Sequence, residues 1–82
     1  MNAGGVRLFV SFPEALVERP MIYELVKRFD VVPNIRRANV EDDTGWMIME
    51  LGGEGPAREQ ALAWLREQGC IVDDMTGDIV AG

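Results

Sequence analysis

Apolar and polar residues alternate from Val6 to Phe12. Val6, Leu8, Val10 and Phe12 fall on one side, Arg7, Phe9 and Ser11 on the other. A period of two over seven residues predicts a β-strand with one strongly apolar face. Pro13 ends it. Phe9 interrupts the polar side, and reads either as a solitary surface residue or as part of a contact surface.

From Pro20 to Phe29 the period lengthens. Ile22, Leu25, Val26 and Phe29 form one helical stripe, with Met21 at its flank. Pro20 suits the first turn, where its missing N–H has no helical partner. Glu24 stands at pairing distance in sequence from Lys27 and Arg28. Asp30 ends the helix.

A second strand is predicted from Val31 to Glu41. Pro33 cannot donate a ladder hydrogen bond, which confines this strand to a sheet edge. Asp42-Asp43-Thr44-Gly45 is a turn signal. The third strand, Trp46 to Leu51, sets Met47, Met49 and Leu51 on one face and Trp46, Ile48 and Glu50 on the other. So apolar a strand, placed centrally, is expected to be buried on both faces. Gly52-Gly53 closes it.

Pro56 opens a second helix that runs to about Gln68. Ala57, Ala61, Leu62 and Leu65 form its buried stripe, with Trp64 beside it. Gly69 is placed to close the helix in a left-handed conformation. Cys70 to Met75 is a last strand, and the tail Thr76 to Gly82 either extends it or frays.

The order βαββαβ is the split βαβ pattern. Two right-handed crossovers put both helices on one face. The expected architecture is an α+β, ferredoxin-like sandwich with antiparallel sheet order 4-1-3-2. It forms one domain over residues 1–82, with its core at about 6–75. The second strand is then an edge on topological grounds, independently of Pro33.

Composition narrows the function. With 48% apolar and 27% charged residues, the chain reads as globular. Eighty-two residues support a core worth roughly 3–5 kcal/mol, which dimerisation would supplement. Eight basic residues among fourteen acidic ones give a net charge of −6. Long-range repulsion argues against nucleic acid and anionic membrane surfaces. No apolar run approaches the length of a membrane span, and Met1 to Gly5 shows no signal-peptide pattern. A cytoplasmic location is the default expectation.

The chain has no histidine and one cysteine, Cys70. That removes Ser-His and Cys-His nucleophiles, histidine metal ligands and an internal disulfide. A single cysteine cannot hold an Fe–S cluster. Cys70 follows a helix C-terminus, where the dipole disfavours a thiolate, and reads as buried and inert. The acidic runs Glu41-Asp42-Asp43 and Asp73-Asp74 have no metal-loop spacing and read as solvated turns. Nothing names a reaction, a cofactor or a catalytic residue, so the chain is expected not to be an enzyme.

The ordered set of segments resembles one family. It comprises the strand ending in Phe12, Pro20 opening a helix that ends Arg28-Phe29-Asp30-Val31, and Asn34-Ile35 followed by Ala38-Asn39-Val40-Glu41. It continues with Gly45, Met49-Glu50-Leu51-Gly52-Gly53, Ala61-Leu62-Ala63-Trp64-Leu65 and Gly69-Cys70-Ile71-Val72. In order and spacing these are similar to the NIL domain, the small C-terminal domain of bacterial methionine-importer ATPases.

The resemblance implies a ferredoxin-like fold that forms homodimers and a regulatory role. It also implies a methionine-like amino-acid ligand near the dimer interface. It assigns a ligand-binding role to Asn34, with Ile35 as a weaker neighbour. It suggests a transporter, a ferredoxin or a sulfur-metabolism enzyme as partner. No Gly-x-x-x-x-Gly-Lys-Ser/Thr loop is present, so the chain reads as a free-standing or excised NIL domain that cannot drive transport by itself.

Other readings stand beside these. Asn34 is also the kind of residue that bonds its own backbone in a Pro-Asn kink. Met21, Met47, Met49 and Trp46 would suit a soft thioether pocket, but alternation in a central strand is core geometry. Arg36 and Arg37 either hold a carboxylate or guard the edge against open-ended pairing. As neighbours on a strand they are expected to point to opposite faces. The alternative function is a protein-interaction module that uses the edge strand for β-addition.

Overall fold

The structure is a computed structural model and describes residues 5–75. The proposed continuation from Thr76 to Gly82 lies outside those residues.

Strand β1 spans Val6–Phe12, helix α1 Glu14–Val17, helix α2 Met21–Phe29 and strand β2 Val32–Val40. Strand β3 spans Gly45–Gly52, helix α3 Gly55–Gln68 and strand β4 Ile71–Asp74. The four strands form one antiparallel sheet in the order β2-β3-β1-β4. Read from the other edge this is 4-1-3-2, the expected α+β ferredoxin-like order. Every predicted strand and both predicted helices are present. The one-turn helix α1 has no counterpart in the periodicity, because four residues with a single buried side chain, Leu16, carry no repeat.

Local chemistry sets the boundaries. Pro20 caps α2 and Pro56 sits in the first turn of α3. Asp30 closes α2 at φ 57°, in the left-handed region that aspartate tolerates better than most residues. Gly69 closes α3 at φ 108°, donating its N–H to the Arg66 carbonyl. That left-handed conformation strains any residue with a Cβ.

The core lies between the sheet and the helices. Leu8, Val10, Leu25, Met49, Leu51, Ala61 and Leu65 are fully buried there, each at 0% exposure. On α2 the buried line runs through Met21 and Leu25, not through Val26, which is 37% exposed. Ile22 and Phe29 pack at the margin, and Phe29 leans on Trp64 of α3 at 5.9 Å. Met21, Met47 and Met49 are therefore core residues.

One expectation fails on β3. Met47, Met49 and Leu51 are buried, but Trp46, Ile48 and Glu50 are only half-buried. Both helices cover the same side of the sheet, so a central strand here has one sealed face and one open face. A second difference concerns Glu24. It pairs with Arg19, which donates Nη2 to Oε1 at 2.6 Å and Nε to Oε2 at 3.0 Å. Lys27 instead lies over the Tyr23 ring and Arg28 over Trp64. The two-pronged fit to Arg19 outweighs a neighbour contact along the helix.

Candidate site on the open face of the sheet

Cross-strand register shows which residues share the open face. Asn34 stands opposite Glu50, and Glu50 opposite Arg7. The next rank runs Arg37, Ile48, Phe9 and Asp73, and the one after it Asn39, Trp46, Ser11 and Ile71. Partners in register point to the same side of a sheet. The open face is therefore polar at the Asn34 end and aromatic further along.

The aromatic part is a diagonal pair. The Phe9 and Trp46 rings stack with centroids 5.8 Å apart and planes 28° from parallel. Ile48 stands opposite Phe9 in register, two residues along β3 from Trp46. Phe9 is thus not solitary, since its ring has an aromatic neighbour on the same face.

The polar part centres on Glu50. Arg7 donates Nη2 to Glu50 Oε2 at 2.8 Å, and Arg36 Nη1 lies 3.8 Å from Oε1. The hydrogen bond from Arg7 holds the Glu50 carboxyl below its usual range, against partial desolvation. The Arg36 charge adds to the lowering. Glu24 is lowered likewise by its hydrogen bond from Arg19. Burial pushes the Cys70 thiol up, which fits an inert side chain inside the core.

Among the described residues β2 pairs only with β3, so it is an edge of the sheet, and an edge strand leaves backbone groups unpaired on its outer side. Asn34 is exposed on it, facing the open side. Ile35 stands opposite Met49 and so faces the helix side, where it remains 48% exposed. The two ligand-site residues named from sequence thus lie on one edge but on opposite faces.

The arginines behave differently from expectation. The register slips between Ile35 and Arg37, leaving Arg36 as an extra, bulged residue. A bulge breaks the two-residue alternation. Arg37 then stands opposite Ile48 on the open face, and Arg36 reaches Glu50 on that same face. Both arginines serve one face. Alternation alone misses this, as it misses Arg7 and Glu50, because neither the bulge nor the cross-strand partner is written in any local pattern.

A separate groove of about 80 Å³ opens on the helix side, lined by Leu16, Arg19, Met21, Ile22, Val40 and Met47 among others. It falls well short of the roughly 300–1,000 Å³ of small-molecule sites. Among the described residues, no group of three or more potential metal-ligating side chains converges.

Fold and site together define a small ferredoxin-like module with an exposed edge strand and a mixed aromatic and charged face. Residues 6–74 match the NIL domain family, and the chain belongs to it.

Its relatives are ATP-binding subunits. The chain is 38% identical over 73 residues to the methionine import ATP-binding protein MetN of Symbiobacterium thermophilum, covering 84% of this chain and 22% of that protein. It is 32% identical over 79 residues to MetN 1 of Burkholderia ambifaria, covering 92% of this chain and 23% of the relative. The chain thus spans about a fifth of the length of these relatives. The C-terminal domain of an ABC transporter ATP-binding protein from Enterococcus faecalis has the same fold. The TM-score is 0.77 at 19% identity, over 89% of this chain and 86% of that one. No helix among the described residues is long and apolar enough to cross a membrane.

Proposed function

We propose that this domain is a non-enzymatic regulatory module that binds methionine or a related amino acid at a homodimer seam along β2. The observation that carries the proposal is the placement of Asn34. It lies on the edge strand, facing the open side, in the rank of Glu50 and Arg7, on the same face that carries the Phe9–Trp46 stack further along. An amide and charged groups suit the α-ammonium and α-carboxylate of an amino acid, and the apolar surface suits its side chain. The names of the relatives, methionine import proteins, favour methionine.

At a seam along β2, both faces of the strand border the partner copy. Asn34 then contacts ligand from the open face, and Ile35 lines the helix-side rim. Ligand bound at such a seam favours one dimer arrangement over another, and that differential affinity is the regulatory output. The partner regulated would be a transporter, a ferredoxin or a sulfur-metabolism enzyme, on the cytoplasmic side of the membrane. No catalytic residue or cofactor enters this reading.

Isothermal titration with L-methionine tests it. Heat and a raised thermal midpoint at millimolar ligand are expected, both lost in Asn34→Ala. Absence of both in the unmodified chain removes methionine.

The exposure of Val32, Ile35 and Val40 along the same edge supports a second reading, strand addition by a partner protein without a small ligand. Light scattering after size exclusion separates the two. A strict monomer at high concentration counts against the seam. A dimer indifferent to amino acids favours strand addition.

A further inference from the structure

The bulge at Arg36 changes the charge of the candidate site. Without it, one of two consecutive arginines would face the helices. With it, Arg36 and Arg37 join Arg7 on the open face, so three arginines share that face, two of them at Glu50 and Arg37 one rank on. Arg7 already holds that carboxylate at 2.8 Å, whereas Arg36 approaches it only to 3.8 Å. Across the ladder from Arg37 stands Ile48, an apolar side chain. The other acidic side chain of these ranks, Asp73, is on β4, at the far edge of the sheet from β2. A positive corner therefore exists on a chain whose net charge is −6.

Asn34 and Arg37 lie within a few residues of each other along β2, with Arg36 between them. Strand geometry puts such positions roughly 7–10 Å apart, which is the span of a small amino acid. The Ile48, Phe9 and Trp46 surface begins one strand away. We infer that the ligand of this face carries a second anionic group beyond its α-carboxylate, set against Arg36 and Arg37, with an apolar or thioether body on Ile48, Phe9 and Trp46. Guanidinium groups bind carboxylates and phosphates in two-pronged geometry, and charge assistance makes such bonds stronger than neutral ones. A neutral zwitterion such as methionine leaves that second contact unused. The inference rests on the ligand-binding reading above and names the class of ligand for the same face.

The test uses the full chain and two probes, L-methionine and S-carboxymethyl-L-cysteine, a thioether amino acid with a second carboxylate. Affinities are measured by titration calorimetry at low and high salt. The dicarboxylate is expected to bind about tenfold more tightly at low salt, and salt is expected to narrow the gap by screening exposed charge. Arg37→Gln removes the preference and leaves the ligand-free thermal midpoint unchanged. Lys27→Gln removes the same charge from the helix layer and leaves the preference intact, which separates local contact from net charge. Equal affinity for the two probes, or an unaltered preference in Arg37→Gln, overturns the inference and leaves methionine binding standing. Binding of the dicarboxylate alone supports the inference and removes methionine. Failure of both probes to bind overturns both readings, and the edge strand then stands as a protein contact.

Discussion

Met49 and Ile48 are neighbours on one strand, similar in bulk and apolar character, yet they belong to different regions of the molecule. Met49 is fully buried under the helices; Ile48 lies half-covered among Phe9, Arg37 and Trp46 on the open face. The same contrast runs along β1, where Leu8 and Val10 are sealed and Phe9 is not. One face of the sheet does the folding, through a continuous apolar layer. The other carries a charged corner, an amide and an aromatic stack, none of which the core requires. In so small a domain, the sealed core and the face that carries the proposed site are separated by the pleat of the strand, one residue apart.

The sharpest way to break this comparison is paired substitution on β3. Met49→Ala is expected to cost about 2–5 kcal/mol through lost burial and the cavity left behind, comparable to the roughly 3–5 kcal/mol that a core of this size supplies. Ile48→Ala is expected to cost about 1 kcal/mol or less, because its surroundings are open to water. Urea denaturation of both variants checks the contrast, and equal costs would mean that the open face is covered in solution.

Gly69→Ala is expected to cost about 1–3 kcal/mol, since φ 108° is strained for alanine. No atom lies closer than 3.7 Å to the added Cβ, so the cost is conformational, not steric. A thermal melt measures it, and a neutral result would show that the end of α3 relaxes freely.

Trp46→Ala sharpens the comparison from the open side. Loss of the stack with Phe9 removes about 0.5–1.5 kcal/mol beyond the area exposed, so a modest fall in thermal midpoint is expected. Ligand binding on this face should fall far more than stability does, measured by calorimetry on the same sample.

The smallest effect concerns acid. Glu50 has a folded-state pKa below its ordinary value, because Arg7 bonds the ionised form. Its contribution is therefore complete above the unfolded-state pKa and is lost as the pH falls through the lower, folded-state one. Glu24 behaves in the same sense through Arg19. Denaturation curves taken from about pH 6 to about pH 3 should show stability falling with acid, and Glu50→Gln should flatten part of that fall. Exposed pairs contribute little and salt screens them, so the slope is expected to be shallow and to weaken at high ionic strength.

Much of this was legible residue by residue. The alternation from Val6 to Phe12 and the proline openings near α2 and α3 are local, and each element appeared where its pattern stood. The closing residues Asp30 and Gly69 are local too. The order βαββαβ then restricted the sheet to a topology with β2 at an edge, in agreement with Pro33. Family membership was legible too, because it rests on the spacing of many weak segments at once. Less visible was the buried line of α2. Val26 fits the stripe as well as Met21 does, and only the position of the neighbouring layers exposes one and seals the other. Helix α1 was invisible because one turn has no period.

The candidate site divides in the same way. Asn34 could be singled out from its place beside a proline on an edge strand, and by the family resemblance. Its setting could not. Whether Arg36 and Arg37 part or converge depends on a bulge, and a bulge depends on how β2 and β3 settle against each other across the hairpin. Glu50 finds Arg7 from forty-three residues away. Sequence by itself determined the elements, their order and the edge, because hydrophobic period and turn chemistry act between near neighbours. Only the tertiary structure decided which side of the sheet stays open and which charges gather there, because register and layer packing act between residues that no local pattern connects.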